Sequence, residues 1–84
     1  MLHQNYPNPF NPITTIDIDI PKTSFVSLKV YNNIGAEIKT LVIGNVNAGI
    51  HKVDFDASSL PSGVYYCRML TDDYVQTRKM ILIK

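Results

Sequence analysis

Asp17 and Asp19 are the first residues in the chain whose type and spacing could do chemistry. On one face of a strand their Cβ atoms stand about 7 Å apart, within the carboxylate separations used in glycoside hydrolysis. Such a pair works only when one member is desolvated in a cleft, and a strand face turned to water gives neither carboxylate that environment. The pair is therefore read as solvated surface. Asp72 and Asp73 fall in a turn, where aspartate is favoured for its local backbone bonding, with a weakly held surface calcium as the other reading. His3, His51 and the single Cys67 supply too few soft ligands, at no spacing that zinc sites use. A nucleophilic Cys67 would need a base and an electropositive pocket, whereas alternation sets it between Tyr65 and Met69 as a packed core thiol. No serine shares a motif with a histidine, and the four glycines are single and widely spaced, unlike a phosphate loop. These residues point away from an enzyme, and no cofactor or metal is expected.

The elements that would position them are strands. In "ITTIDIDI" (13–20), Ile16, Ile18 and Ile20 alternate with Thr15, Asp17 and Asp19, the pattern of a half-buried strand that Pro21 closes. "FVSLKVY" (25–31) repeats it, with Val26, Leu28 and Val30 inward. "NNIG" reads as a hairpin loop in which Gly35 takes the left-handed position of a type I turn with a following bulge, and the chain returns through "AEIKTLV" (36–42). Gly44 and Gly49 bracket a polar connection, after which His51, Val53 and Phe55 alternate with Lys52, Asp54 and Asp56. "GVYYCRML" (63–70) is apolar on both faces, as a central strand is. "TDD" (71–73) turns the chain into "YVQTRKMILIK", where Ile81 and Ile83 are expected to fill the interior while the lysines solvate an edge.

Ahead of these strands lies "NYPNPFNP" (5–12), three prolines and three asparagines around Tyr6 and Phe10. Proline excludes helix and removes ladder donors, so the segment is expected to be a stiff strap with both rings pressed on apolar surface. Six strands and a short seventh at residues 2–5 predict an all-β fold, an immunoglobulin-like antiparallel β-sandwich of about seven strands, with an open barrel as the alternative. Residues 1–84 are expected to form a single domain with one core.

A hydrophobic fraction of 45% with 18% charged residues is ordinary folded composition. The basic residues are scattered and the net charge is +1, so no nucleic-acid partner is expected. No apolar run is long enough for a membrane helix, so no membrane insertion is expected either. One cysteine excludes an internal disulfide. The start lacks the basic-then-apolar pattern of a secretory signal, and Met1 runs straight into the strap, which reads as a piece of a longer chain extending upstream.

Taken together, "QNYPNPFNP", "LKVYNNIGAEI", "NAGIHKVDFDASSLPSGVYYCRM" and "TRKMILIK" resemble the type A C-terminal sorting domain of type IX secretion cargo proteins, from about Gln4 to Lys84. The family's clasp falls on Asn8, Pro9 and Phe10, its glycines on Gly35, Gly49 and Gly63, its "GVY" tyrosine on Tyr65, and its closing basic residues on Lys79 and Lys84. Ala36, Phe55 and Cys67 depart from the usual family residues.

The resemblance implies a non-catalytic address label on a larger secreted or cell-surface cargo. Its implied partners are the type IX translocon and a cell-surface sortase. The sites it marks for recognition are Gly63, Tyr65, Lys79 and Lys84, to which the position of Arg78 beside "MILI" adds a basic and apolar strip. A second function class is an immunoglobulin-like accessory module, a spacer or a carbohydrate-binding domain using Tyr31, Tyr66 and Tyr74 as a platform. A weaker similarity to the immunoglobulin-like part of the flagellar hook-capping protein implies an assembly scaffold, against which the strap argues.

Overall fold

Ile16, Ile18 and Ile20, on the inner face of strand β1 (Ile13–Ile20), are each 1% exposed in the computed structural model, which describes residues 1–84. Their alternation with polar residues leaves a strand no other way to bury them together. The remaining strands are β2 (Ser24–Tyr31), β3 (Glu37–Val46), β4 (Gly49–Asp56), β5 (Gly63–Thr71) and β6 (Val75–Leu82). They form two antiparallel sheets, β1-β4 and β3-β2-β5-β6, and there is no helix. The sheets face one another across a single cluster of 15 buried residues, the sandwich that the patterning predicts. β5 is central, between β2 and β6, as its partly apolar sequence on both faces predicts.

Two expectations change. Gly44 does not open a loop: β3 runs through it, opposite Val26, and only Asn47 and Ala48 connect β3 to β4. No seventh strand forms at residues 2–5 either, where Leu2 makes a lone bridge to Ile18. β3 is also irregular, because the register with β2 slips between Leu28 and Lys29 and again between Val30 and Tyr31. Leu41 and Ile38 are the residues in excess, and both pack against the core. A bulge shifts the side-chain phase by one, which is how these two apolar residues, three apart, reach the same side.

The turns follow their chemistry. Asn32 closes the β2–β3 hairpin, its carbonyl accepting from Gly35 N–H at 3.1 Å and its side-chain oxygen from Ile34 and Ala36. Gly35 sits at φ +84°, where any other side chain would be strained. At the start of β5 the Tyr65 hydroxyl donates to the Pro61 carbonyl at 2.6 Å, a tyrosine corner of the kind that pins loops in immunoglobulin-like sandwiches.

The strap is ordered because it pairs with both sheets. On one side it meets the outer edge of β1: Tyr6 and Thr15 exchange backbone hydrogen bonds at 2.9 Å, and His3 N–H donates to the Asp17 carbonyl. On the other it meets β6, where Phe10 N–H donates to the Ile81 carbonyl and Ile83 N–H to that of Phe10, both at 2.9 Å. All three X-Pro bonds of the strap are cis. Asn5, 3% exposed, holds the bend by donating to Thr14 Oγ1 and to the Pro7 carbonyl.

Candidate sorting surface

The closing strand and the strap carry most of the residues that the sequence singles out, and the structure sorts them into two roles. Phe10 is 2% exposed, its ring 6.0 Å from that of Phe55, and Asn8 Oδ1 accepts from Ile81 N–H at 2.9 Å. Pro9 lies exposed between them. Tyr6 departs from expectation: it is 46% exposed, with Lys52 Nζ 5.6 Å from its ring centroid and its hydroxyl held between Lys52 and Asp17. The apolar anchor at this end of the strap is Leu2 instead, fully buried. A tyrosine between asparagine and proline carries no signal for which way its ring turns.

Arg78, Lys79 and Lys84 do not form one strip. Arg78 is half-buried and its Nε donates to the Leu2 carbonyl at 3.0 Å, so it fastens the strap. Lys84 folds back: its Nζ donates to the Ser58 carbonyl at 2.6 Å and its N–H to Ser62 Oγ at 3.0 Å. Only Lys79 is displayed, in register with Tyr66. Gly63 and Gly49 open β5 and β4, opposite Leu82 and Ile20.

The phase of "MILI" is the reverse of that expected. Met80 and Leu82 are buried at 0% and 1%, while Ile81 is half-buried and Ile83 is 53% exposed. Four apolar residues in a row fit either phase, and the pairing of β6 with β5 decides it: Met80 lies opposite buried Tyr65, and Ile81 opposite half-buried Val64. The outward face of the closing strand is thus Lys79, Ile81 and Ile83, flanked by Val64 and Tyr66 of β5. Sequence reasoning missed Val64 and misplaced both isoleucines. The edge of β6 is not free along this stretch, because Gln4 Nε2 takes the Lys79 carbonyl at 2.8 Å and the strap takes Ile81 and Ile83.

Beside this face a groove of about 370 Å³ runs between Tyr31, Tyr66, Arg68, Val75 and Thr77. Tyr31 and Tyr66 are register partners, but Tyr74 packs against the core, so the three tyrosines form no common platform. Asp17 shares Lys52 with Tyr6 at the surface, and Asp19 is half-exposed on the same face. The Tyr6 hydroxyl and then the Asp17 carboxylate hold the Lys52 ammonium above its usual range. The hydroxyl and N–H of Ser58 hold the Asp56 carboxyl below its own. Both groups are on the surface and stabilise turns and pairs locally.

Cys67 is 1% exposed, and burial pushes its thiol up to about 12. An unfolded thiol ionises near ~8.5, so above that pH the unfolded chain releases a proton that the native state keeps. The contribution is whole below about pH 8.5 and lost as pH rises towards about 12. Stability is expected to fall by roughly 1.6 kcal/mol between pH 8.5 and 10 from this group, the slope rising towards about 1.4 kcal/mol per unit. Urea melts of the wild type and Cys67→Ala check it: a slope that survives the substitution would belong to other groups. At pH 8 the native thiol is expected to resist disulfide reagents.

The chain matches, over residues 4–84, the family described as the secretion system C-terminal sorting domain, and it belongs to that family of type IX secretion. Comparison with curated proteins and with solved structures returned no match. Membership implies a cargo that is secreted or displayed at the cell surface and handled by the type IX system. Sorting signals of this kind are generally non-catalytic.

Proposed function

We propose that the domain is a non-catalytic sorting label that the type IX translocon reads on the outward face of β5 and β6, at Lys79, Ile81 and Ile83 beside Val64 and Tyr66. The observation that carries this reading is the exposure of Ile83 at 53%, next to half-buried Ile81, in a domain that belongs to a sorting family. A cationic and apolar strip on a rigid sheet suits a receptor groove. Gly63, Tyr65, Arg78 and Lys84 hold that strip in place, and Asn8, Pro9, Phe10, Gly35 and Gly49 shape its frame. In this reading the cargo crosses the inner membrane on its own N-terminal signal peptide and the outer membrane through the translocon. A cell-surface sortase then removes the domain and joins the cargo to a lipopolysaccharide anchor, or releases it.

The test is a cargo reporter fused upstream of the domain in a bacterium with type IX secretion. Ile81→Glu with Ile83→Glu is expected to hold the reporter in the periplasm while the purified domain still melts cooperatively. Asp72→Lys, in the β5–β6 turn, is expected to export normally. Undiminished surface delivery of the double variant would sink the assignment. The accessory-module reading rests on Tyr31 and Tyr66 alone, and glycan binding by the isolated domain would favour it.

A further inference from the structure

A sandwich of two open sheets has four edges, and three of these are closed to a new strand. The outer edge of β1 is taken by Tyr6 and His3 of the strap. That of β6 is taken from Lys79 to Ile83 by Phe10, Asn8 and Gln4. β3 is broken by its two bulges, and Lys39, in register with inward Val30, stays exposed at the open margin with its Nζ 5.9 Å from the Phe55 ring centroid. Bulges and inward charges are how natural sheets defend an edge.

β4 has none of these devices. It pairs with β1 in unbroken register over all eight residues and contains no proline. Thr15, Asp17 and Asp19 turn their backbone groups to the strap, so in an antiparallel ladder Thr14, Ile16, Ile18 and Ile20 are the residues bonded to β4. Their partners Phe55, Val53, His51 and Gly49 are thereby used, and Ile50, Lys52, Asp54 and Asp56 present N–H and C=O groups to solvent.

The space next to this edge is apolar on one side, apart from Lys39 beside Phe55. The sheet of β1 and β4 is narrower than the sheet it faces, and burial falls off towards β3: Val26, Leu28 and Val30 of β2 are 0% exposed, whereas Ile38, Leu41, Val42 and Val46 of β3 are only partly covered. Val53 is likewise half-buried although its partner Ile16 is 1% exposed. One added strand on β4 would lie under those side chains. A second copy of the domain would bring its own wider sheet into the same space, where it would meet β3.

We propose that β4 is a strand-addition site for one extended segment of another protein, apolar at alternate residues towards β3 and Val53, and basic where it faces Asp54 and Asp56. Charge sets the preference: on the outward face of β4 Lys52 is already paired with Asp17 at 3.3 Å, whereas Asp54, which accepts from Thr15 Oγ1, and Asp56, which accepts from Ser58 with Lys39 and Lys84 nearby, are in no ion pair, so the cation preference is carried foremost by Asp54. The inference is independent of the sorting face, which lies on the other sheet.

The probe is the heptapeptide Lys-Val-Lys-Ile-Glu-Val-Thr, which places lysines opposite Asp56 and Asp54 and glutamate opposite Lys52 when it runs antiparallel to β4. It is fused after Lys84 through a flexible linker, because Lys84 already reaches Ser58 just beyond the end of β4, and a tether raises its effective concentration to about millimolar. The expected result is at least about tenfold slower amide exchange at Ile50, Lys52 and Asp54 and a raised melting temperature. Asp54→Pro, which removes an outward donor together with the Thr15–Asp54 hydrogen bond, and Asp54→Lys with Asp56→Lys, which keeps every outward donor of β4, should each abolish the protection in domains that still melt cooperatively. Exchange unchanged by the probe, or protection that survives both variants, would overturn the proposal. So would a doubling of mass in the probe-free domain that Asp54→Pro prevents, since the occupant would then be a second copy.

Discussion

Phe10→Ala is expected to destabilise the domain by about 3–5 kcal/mol and to lower its melting temperature by roughly 15–30 °C. The ring is 2% exposed and tilted at 52° against Phe55, which is itself fully buried on β4. Phe10 therefore touches the inner face of one sheet with its side chain while its backbone N–H and C=O pair with β6 of the other. Truncation leaves a cavity between the sheets at one of the places, with Leu2, where the N-terminal segment joins them. Phe10→Leu, which keeps most of the volume, should recover a large part of the loss. Calorimetry on the three proteins decides it, and superimposable curves for wild type and alanine variant would mean that the strap contributes no packing.

The second large effect is expected on removing residues 80–84. Met80 and Leu82 are 0% and 1% exposed, and losing buried side chains of this size costs about 2–5 kcal/mol each. The same cut removes the Ile81 carbonyl and Ile83 N–H that hold Phe10, and the Lys84 ties to Ser58 and Ser62. Small domains hold roughly 5–15 kcal/mol in total, so the shortened chain should show no cooperative transition and should be cut rapidly by protease. Its cargo should stay in the periplasm for want of a folded label. A truncated chain that still melted cooperatively would show that β6 is dispensable to the core. The contrast with Ile81→Glu and Ile83→Glu matters here, because those substitutions change what the sheet displays without emptying its interior.

Strands with a clean period of two are legible in the sequence itself. β1 and β2 are the plainest cases, since each presents three aliphatic residues at alternate positions, and their burial follows at once. β3 was harder because its bulges break the period that identifies a strand, so that Ile38, Leu41 and Gly44 look like the fading of one element instead of its continuation. The apolar run at the end of β6 carried no phase of its own. Its inward set is fixed by pairing with Tyr65, a contact fifteen residues away in the chain that no local pattern encodes. Arg78 illustrates the same limit: a basic residue beside an apolar run looks like display, and only the position of the Leu2 carbonyl shows that it is a fastening. Stiffness of the strap could be read from its prolines, but the partner of each of its sides could not.

Leu2 N–H donates to Gln76 at a separation of 74 residues, and Arg78 reaches back to Leu2 over 76. Contacts of that span form late, since loop-closure entropy must be overcome before they stabilise anything. The fastening of the N-terminal segment to β6 is therefore complete only once both ends of the domain are present. A polypeptide broken off by premature termination or proteolysis before that strand never acquires the finished shape. Under the proposed sorting role, this seam would tie export to a complete chain.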